Sequence, residues 1–320
     1  MTHKIILDTD PGIDDAMAIL FAEAHPAIDL LAITTVFGNA TIENGTRNAL
    51  WLKTKYGMKA DVARRRRAAA RARGADNGGA RPERLWRRPG GEVTLIPDPR
   101  PAWQYVVETV KAHPGEITLG PSGPSHQPGA GARGGPEVAA LVKEVVVMGG
   151  AFGVKRPSRQ RDPHAEANIH DDPDAADRVF TAPKSLVIIG LDVTQQSIFT
   201  ADYLDALRDD AGEPAASCGM SASFYLRFYS ERIGMAGCHV HDPSAIAYVI
   251  DPALFTPAQG AGAGHHRGAR IGIPCKSLTT PAIPHDEWAH CPAQQVGVAV
   301  RDQSARPYQD TLVAWGRGRR

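Results

Sequence analysis

The chain has 320 residues, with 36 lysines and arginines against 35 aspartates and glutamates, for a net charge of +1. That length accommodates one large α/β domain or two small ones, and the near-neutral balance excludes a protein built chiefly on attraction to nucleic acid or a membrane surface. Four cysteines (Cys218, Cys238, Cys275 and Cys291) are scattered without CxxC spacing, which points to a reducing compartment and away from a disulfide framework or a zinc site.

In chain order, Ile5-Ile6-Leu7 reads as a buried parallel strand. Pro11-Gly12 end it, and Asp14-Asp15 open a helical spacing carried by Ala16, Ile19 and Leu20. A second buried strand, Leu30 to Phe37, ends in Gly38-Asn39, and Ile42, Thr46, Ala49, Leu50 and Leu52 then follow helical spacing. Trp103 to Lys111 is helical, Ile117 to Leu119 starts a strand, Glu137 to Lys143 is helical, and Glu144 to Met148 is a strand running into Gly149-Gly150. Asp174 to Phe180 reads as a helix, Leu186 to Ile189 as a strand, Ala222 to Ile233 as an aromatic-rich helix, and Asp242 to Ile250 as a helix opening at Asp242-Pro243. This alternation predicts an α/β fold: a mostly parallel central sheet with helices on both faces, in the manner of an open Rossmann-like sheet. No apolar run reaches the roughly 20 residues that span a bilayer, and the chain enters its first strand without a leader, so a cytoplasmic protein is expected.

Three stretches break the rhythm. Residues 61–90 hold ten arginines against three acids with Trp86 as their only aromatic, which reads as a solvated basic loop rather than a nucleic-acid patch. Residues 119–136 are dominated by Gly and Pro, and residues 256–292 are rich in Gly, His and Pro without periodicity. Such segments are expected to bury little and order poorly.

The chemistry concentrates where the first strand meets the first helix. Asp8, Asp10, Asp14 and Asp15 crowd into eight residues at the carboxyl end of a strand, the place where open α/β sheets bind ligands. Four like charges so close are tolerable chiefly around a cation. An all-oxygen donor set favours a hard ion, Ca²⁺ or Mg²⁺.

The pattern Asp8-x-Asp10-Pro11-Gly12-x-Asp14-Asp15-Ala16 resembles the amino-terminal signature of the nucleoside hydrolases, the inosine–uridine preferring family. Val145 to Gly153 is similar to that family's glycine-rich second signature, Glu166-Ala167-Asn168 to its ribose-binding pair, and His241-Asp242-Pro243 to its last motif. The resemblance implies one domain over residues 1–320 that hydrolyses the N-glycosidic bond of ribonucleosides to ribose and free base. It implies a Ca²⁺ held by Asp10, Asp15, Asp242 and the carbonyl of His126, with Asp10 taking a proton from the attacking water. Asn39 contacts ribose and water; Asp14, Gln160, Glu166 and Asn168 grip the sugar; His241 protonates the leaving base. The implied partner is a small ribonucleoside, with neither nucleic acid nor membrane, in a homodimer or homotetramer.

The chain departs from the family pattern at about 61–90, 119–136, 155–163 and 256–292. His126 stands where relatives carry threonine, and Gln160 where they carry asparagine. Matches flanking Arg-, Gly- and Pro-rich runs are what local frame shifts in a GC-rich gene produce, so a catalytically impaired nucleoside- or ribose-binding member of the same fold is the alternative. A Mg²⁺-dependent phosphohydrolase also suits a strand ending in Asp-x-Asp, but the phosphate-holding lysine and hydroxyl it needs are missing. A basic nucleic-acid module would rest on the arginine run alone.

Overall fold

The computed structural model of the chain describes residues 2–38, 40–65, 93–121, 136–151, 166–180, 182, 185–264, 274–278, 293–300 and 305–318. Its first half alternates β1 (His3–Thr9), α1 (Ile13–Ala24), β2 (Ile28–Thr35), α2 (Ile42–Tyr56), β3 (Asp61–Arg64), α3 (Ala102–Ala112), β4 (Ile117–Pro121), α4 (Pro136–Leu141) and β5 (Glu144–Met148). The second half runs α5 (Ala167–Asp171), α6 (Pro173–Phe180), β6 (Leu186–Ile189), α7 (Leu191–Thr194), β7 (Ile198–Phe199), α8 (Ala201–Ala211), α9 (Glu213–Ile233), β8 (Cys238–His239) and α10 (Pro243–Ile250). It closes with β9 (Phe255–Gly264), β10 (Pro274–Leu278), β11 (Ala293–Val300) and α11 (Ala305–Gly318).

Among the described residues, nine strands form one sheet in the order β10-β9-β11-β6-β5-β4-β1-β2-β3. From β3 to β11 every neighbouring pair is parallel, and β9 and β10 add antiparallel edges. The chain leaves β1 toward β2 and β3, then returns to lay β4, β5 and β6 on its other side. The β1/β4 boundary is therefore the topological switch point, where a crevice opens beyond the carboxyl ends of the strands.

Strand alternation builds two cores. Ile5, Leu7, Val146, Met148, Val187 and Ile189 pack on one face with α1, α10 and the Tyr308–Leu312 turn of α11. Ile6, Val145, Val147, Leu186 and Ile188 pack on the other with α3 and α6. Helix α1 is buried on every side from Ile13 to Ala22, which fixes the acidic turn preceding it.

The 256–292 stretch corrects the sequence expectation. Its described parts carry two strands: Phe255–Gly264 pairs with β11 and with Pro274–Leu278. Strand pairing is made by main-chain groups, and the Gly/Ala alternation of residues 260–264 lacks the side-chain pattern by which strands are read. Residues 61–64, placed in the basic loop, are edge strand β3 against β2. Most of 61–90, 119–136 and 155–163 lies outside the described residues.

Candidate active site

Strand β1 delivers its acids in alternation. Asp8 turns into the sheet, where its Oδ1 accepts a 2.7 Å hydrogen bond from Thr34 of β2. Asp10 follows at the strand's mouth, 1% exposed. Pro11 and Gly12 reverse the chain into α1, whose first turn holds Asp14 and Asp15. Asp15 accepts from the Thr9 hydroxyl and, at 2.9 Å, from the Gly12 N–H, so it caps the helix it belongs to. Asp14 accepts a 2.9 Å bond from the phenol of Tyr225 on α9.

Asp242 reaches the same place from the start of α10, where Pro243 fixes the first helical position. One carboxylate oxygen from each of Asp14, Asp15 and Asp242 lies within 4.8 Å of the others, all three side chains buried. Asp10 stands beside the trio, close enough for its charge to act on Asp242. Burial, then Asp14, pushes the Asp15 carboxyl up to about 7. Burial, then the charges of Asp14, Asp15 and Asp10, raises Asp242 well above the usual carboxylate range. Acids this close and this buried must share protons or surround a cation. Their donor set is carboxylate oxygen throughout, which fits a hard divalent ion. The expectation put Asp10 in the metal set and Asp14 on the sugar; the group whose oxygens lie within 4.8 Å of one another is Asp14, Asp15 and Asp242, with the Asp10 charge acting on Asp242.

The carboxyl ends of β5 and β6 form the opposite wall. Glu166, 1% exposed, caps α5: its carboxylate accepts from the N–H groups of Asn168 (2.8 Å), Ile169 (3.1 Å) and Gly150 (3.0 Å). Burial nevertheless raises its pKa. Gly150 adopts φ +83°, a left-handed turn that turns its amide to that carboxylate. Asn168 is buried beside it, its amide 3.4 Å from the Met148 carbonyl. Asp172 caps α6, its carboxylate accepting from the Ala175 N–H at 3.0 Å.

His241 precedes Asp242. Its Nδ1 lies 2.8 Å from the Thr194 hydroxyl and its Nε2 3.5 Å from the Tyr229 phenol. The Tyr229 ring meets those of Tyr225 and His239 edge to face. Burial, then the nearby Asp14 charge, drives the Cys238 thiol up to about 12, so it offers no thiolate. Sequence reasoning missed Tyr225, Tyr229 and Thr194. The signal for the tyrosines was their i, i+4 spacing in the aromatic-rich helix, which places them on one face; Thr194 left none. Asn39, His126 and Gln160 lie outside the described residues.

A mostly parallel sheet with, at its switch point, a buried carboxylate cluster that could hold a metal ion defines an α/β protein with a candidate active site. The profile described as "Inosine-uridine preferring nucleoside hydrolase" matches residues 5–311, and the chain belongs to that family. It is thus a glycosidase acting on the N-glycosyl bonds of ribonucleosides. It is 33% identical over 310 residues to a probable uridine nucleosidase 2 of Arabidopsis thaliana, covering 93% of each chain. It is 39% identical over 261 residues to a pyrimidine-specific ribonucleoside hydrolase, RihB, of Escherichia coli O157:H7, covering 78% of this chain and 79% of the relative. Among solved structures it is similar to a plant nucleoside hydrolase, PpNRh1, at a TM-score of 0.86 and 30% identity, over 98% of this chain and 100% of the other.

Proposed function

We propose that the acid cluster holds Ca²⁺ and that Asp10, His241 and the residues around them carry out ribonucleoside hydrolysis as follows. Asp14, Asp15 and Asp242 would hold the ion, with Asp10 at its edge. When bound, Ca²⁺ supplies oxygen coordination for ribose hydroxyls and the Lewis acidity that lowers the pKa of water. Asp10 accepts the proton of the attacking water. Positive charge builds on the sugar as the C–N bond breaks, and the surrounding carboxylates stabilise it. Asn168 and the remaining lone pairs of Glu166 hold the sugar, which keeps the reacting carbon within reach of the water. His241, with Tyr229 against its Nε2, hands a proton to the departing base. Asn39, Gln160 and the His126 carbonyl complete the site in this reading.

The observation that carries the reading is the convergence of Asp14, Asp15 and Asp242 in one buried cluster beside His241. We place the enzyme in the cytoplasm as a homodimer or homotetramer; cysteine usage without a disulfide framework supports the compartment. Among the described residues, no helix is long and apolar enough to cross a membrane.

The test is ribose release from inosine, uridine, cytidine and adenosine after chelation and again with Ca²⁺ restored. Release that returns with Ca²⁺ is expected for at least one nucleoside. Full activity after exhaustive chelation removes the metal assignment, and ribose binding without release supports the impaired-enzyme alternative.

A further inference from the structure

We propose that Thr194 is a positioning residue for His241: its hydroxyl fixes the flip of the imidazole so that Nε2 faces the site. The inference rests on the reading of His241 as proton donor to the leaving base.

Thr194 is fully buried at the end of α7, the short helix that follows β6. Its backbone is held: its N–H bonds the Gly190 carbonyl at 3.0 Å, and the Leu191 N–H bonds the Gly150 carbonyl at 2.8 Å. The segment carrying His241 is tied to the same frame. β7 pairs with β8 through Ile198 and His239, and the Val240 N–H donates to the Ser197 carbonyl at 3.1 Å. The 2.8 Å contact between the Thr194 hydroxyl and His241 Nδ1 therefore joins two rigid backbones.

A buried hydroxyl costs free energy unless it is paired. Rotating the imidazole by half a turn would put a carbon where Nδ1 now sits and leave that hydroxyl unpaired, so the observed flip is favoured. The same flip points Nε2 at Tyr229, 3.5 Å away. A hydroxyl donates to a bare Nδ1 and accepts from an Nδ1–H. Thr194 thus holds the ring in the observed flip with either tautomer.

The test compares two leaving groups. Inosine needs its base protonated as the C–N bond breaks, whereas p-nitrophenyl riboside releases a stable phenolate without a proton. In Thr194→Val, kcat on inosine is expected to fall about tenfold or more, within the range that acid catalysis contributes, while KM and turnover of the nitrophenyl riboside stay within about twofold. Thr194→Ser, which restores the hydroxyl, should recover inosine turnover. A parallel loss on both substrates, or no loss on either, overturns the proposal. His241→Ala is measured alongside. If it shows the leaving-group split and Thr194→Val does not, the positioning role alone fails. If His241→Ala shows no split, the proton-donor reading fails first.

Discussion

Gly38 lies against Asp10 so closely that a methyl group on its α-carbon would stand 2.5 Å from Asp10 Cγ and nearer still to Oδ2. No side chain fits there unless the carboxylate moves. Gly38→Ala should therefore displace the proposed base with little change to the fold, since the intruding atom meets a side-chain tip. A displacement of about 1 Å can cost on the order of a hundredfold in rate. We expect kcat for ribose release to drop at least tenfold by that argument, with the melting temperature nearly unchanged. Wild-type turnover in Gly38→Ala would show that Asp10 does not need its present position.

Tyr225 joins α9 to the cluster through its 2.9 Å bond to Asp14. Hydrogen bonds to charged groups contribute roughly 1.5–3 kcal/mol. Tyr225→Phe removes the donor and leaves the ring packing intact, so the metal-loaded enzyme should lose about that much stability. Chemical denaturation at saturating Ca²⁺ measures it. No loss would mean that Asp14 is satisfied by the ion and its other neighbours.

The framework was legible because its signals are local. Ile5-Ile6-Leu7 and Val145 to Met148 are apolar runs followed by the breakers Pro11-Gly12 and Gly149-Gly150, and both are strands of the parallel part of the sheet. The crowding of Asp14 and Asp15 into one acidic cluster was legible because four acids fall within eight residues. That Asp242 joins them from the far part of the chain was readable only through the family motif, since no local pattern marks a long-range contact. The strand at 258–264 was illegible because its small residues carry no apolar alternation, although its backbone pairs with β11. The partnership of Glu166 with three backbone amides was hidden too: a carboxylate two residues from an asparagine looks the same whether it grips a sugar or caps a helix.

Removing the cation should make stability depend on pH in a set direction. The Asp15 carboxyl of the metal-free protein is raised to about 7, and Asp242 is raised as well. A carboxyl raised in the folded state binds its proton more tightly there than in the unfolded chain. Its contribution is present below the ordinary carboxylate range near pH 4 and fades as pH climbs through the folded value, by about 1.4 kcal/mol for each tenfold difference in proton affinity between the two states. Chelated enzyme should thus lose stability between about pH 4 and pH 7 on this account. Added Ca²⁺ competes with those protons, so the rise in melting temperature it produces should be small at pH 5 and large at pH 8. A Ca²⁺-induced rise independent of pH would place the ion away from Asp15 and Asp242.

The roles proposed for Asp10 and Asp242 separate chemistry from ion holding. Asp242 belongs to the tight carboxylate trio, whereas Asp10 flanks it. Asp242→Asn removes a charge from the ion's cradle and should abolish most of the Ca²⁺-induced rise in melting temperature. It also relieves like-charge repulsion, so the chelated variant should be more stable than chelated wild type at pH 8. Asp10→Asn should keep much of the Ca²⁺-induced rise yet lose about a hundredfold or more in ribose release, the loss expected when a base cannot accept a proton. If the two variants behave alike, with thermal response and turnover falling together, Asp10 serves the enzyme as an ion ligand and the proton of the attacking water goes elsewhere.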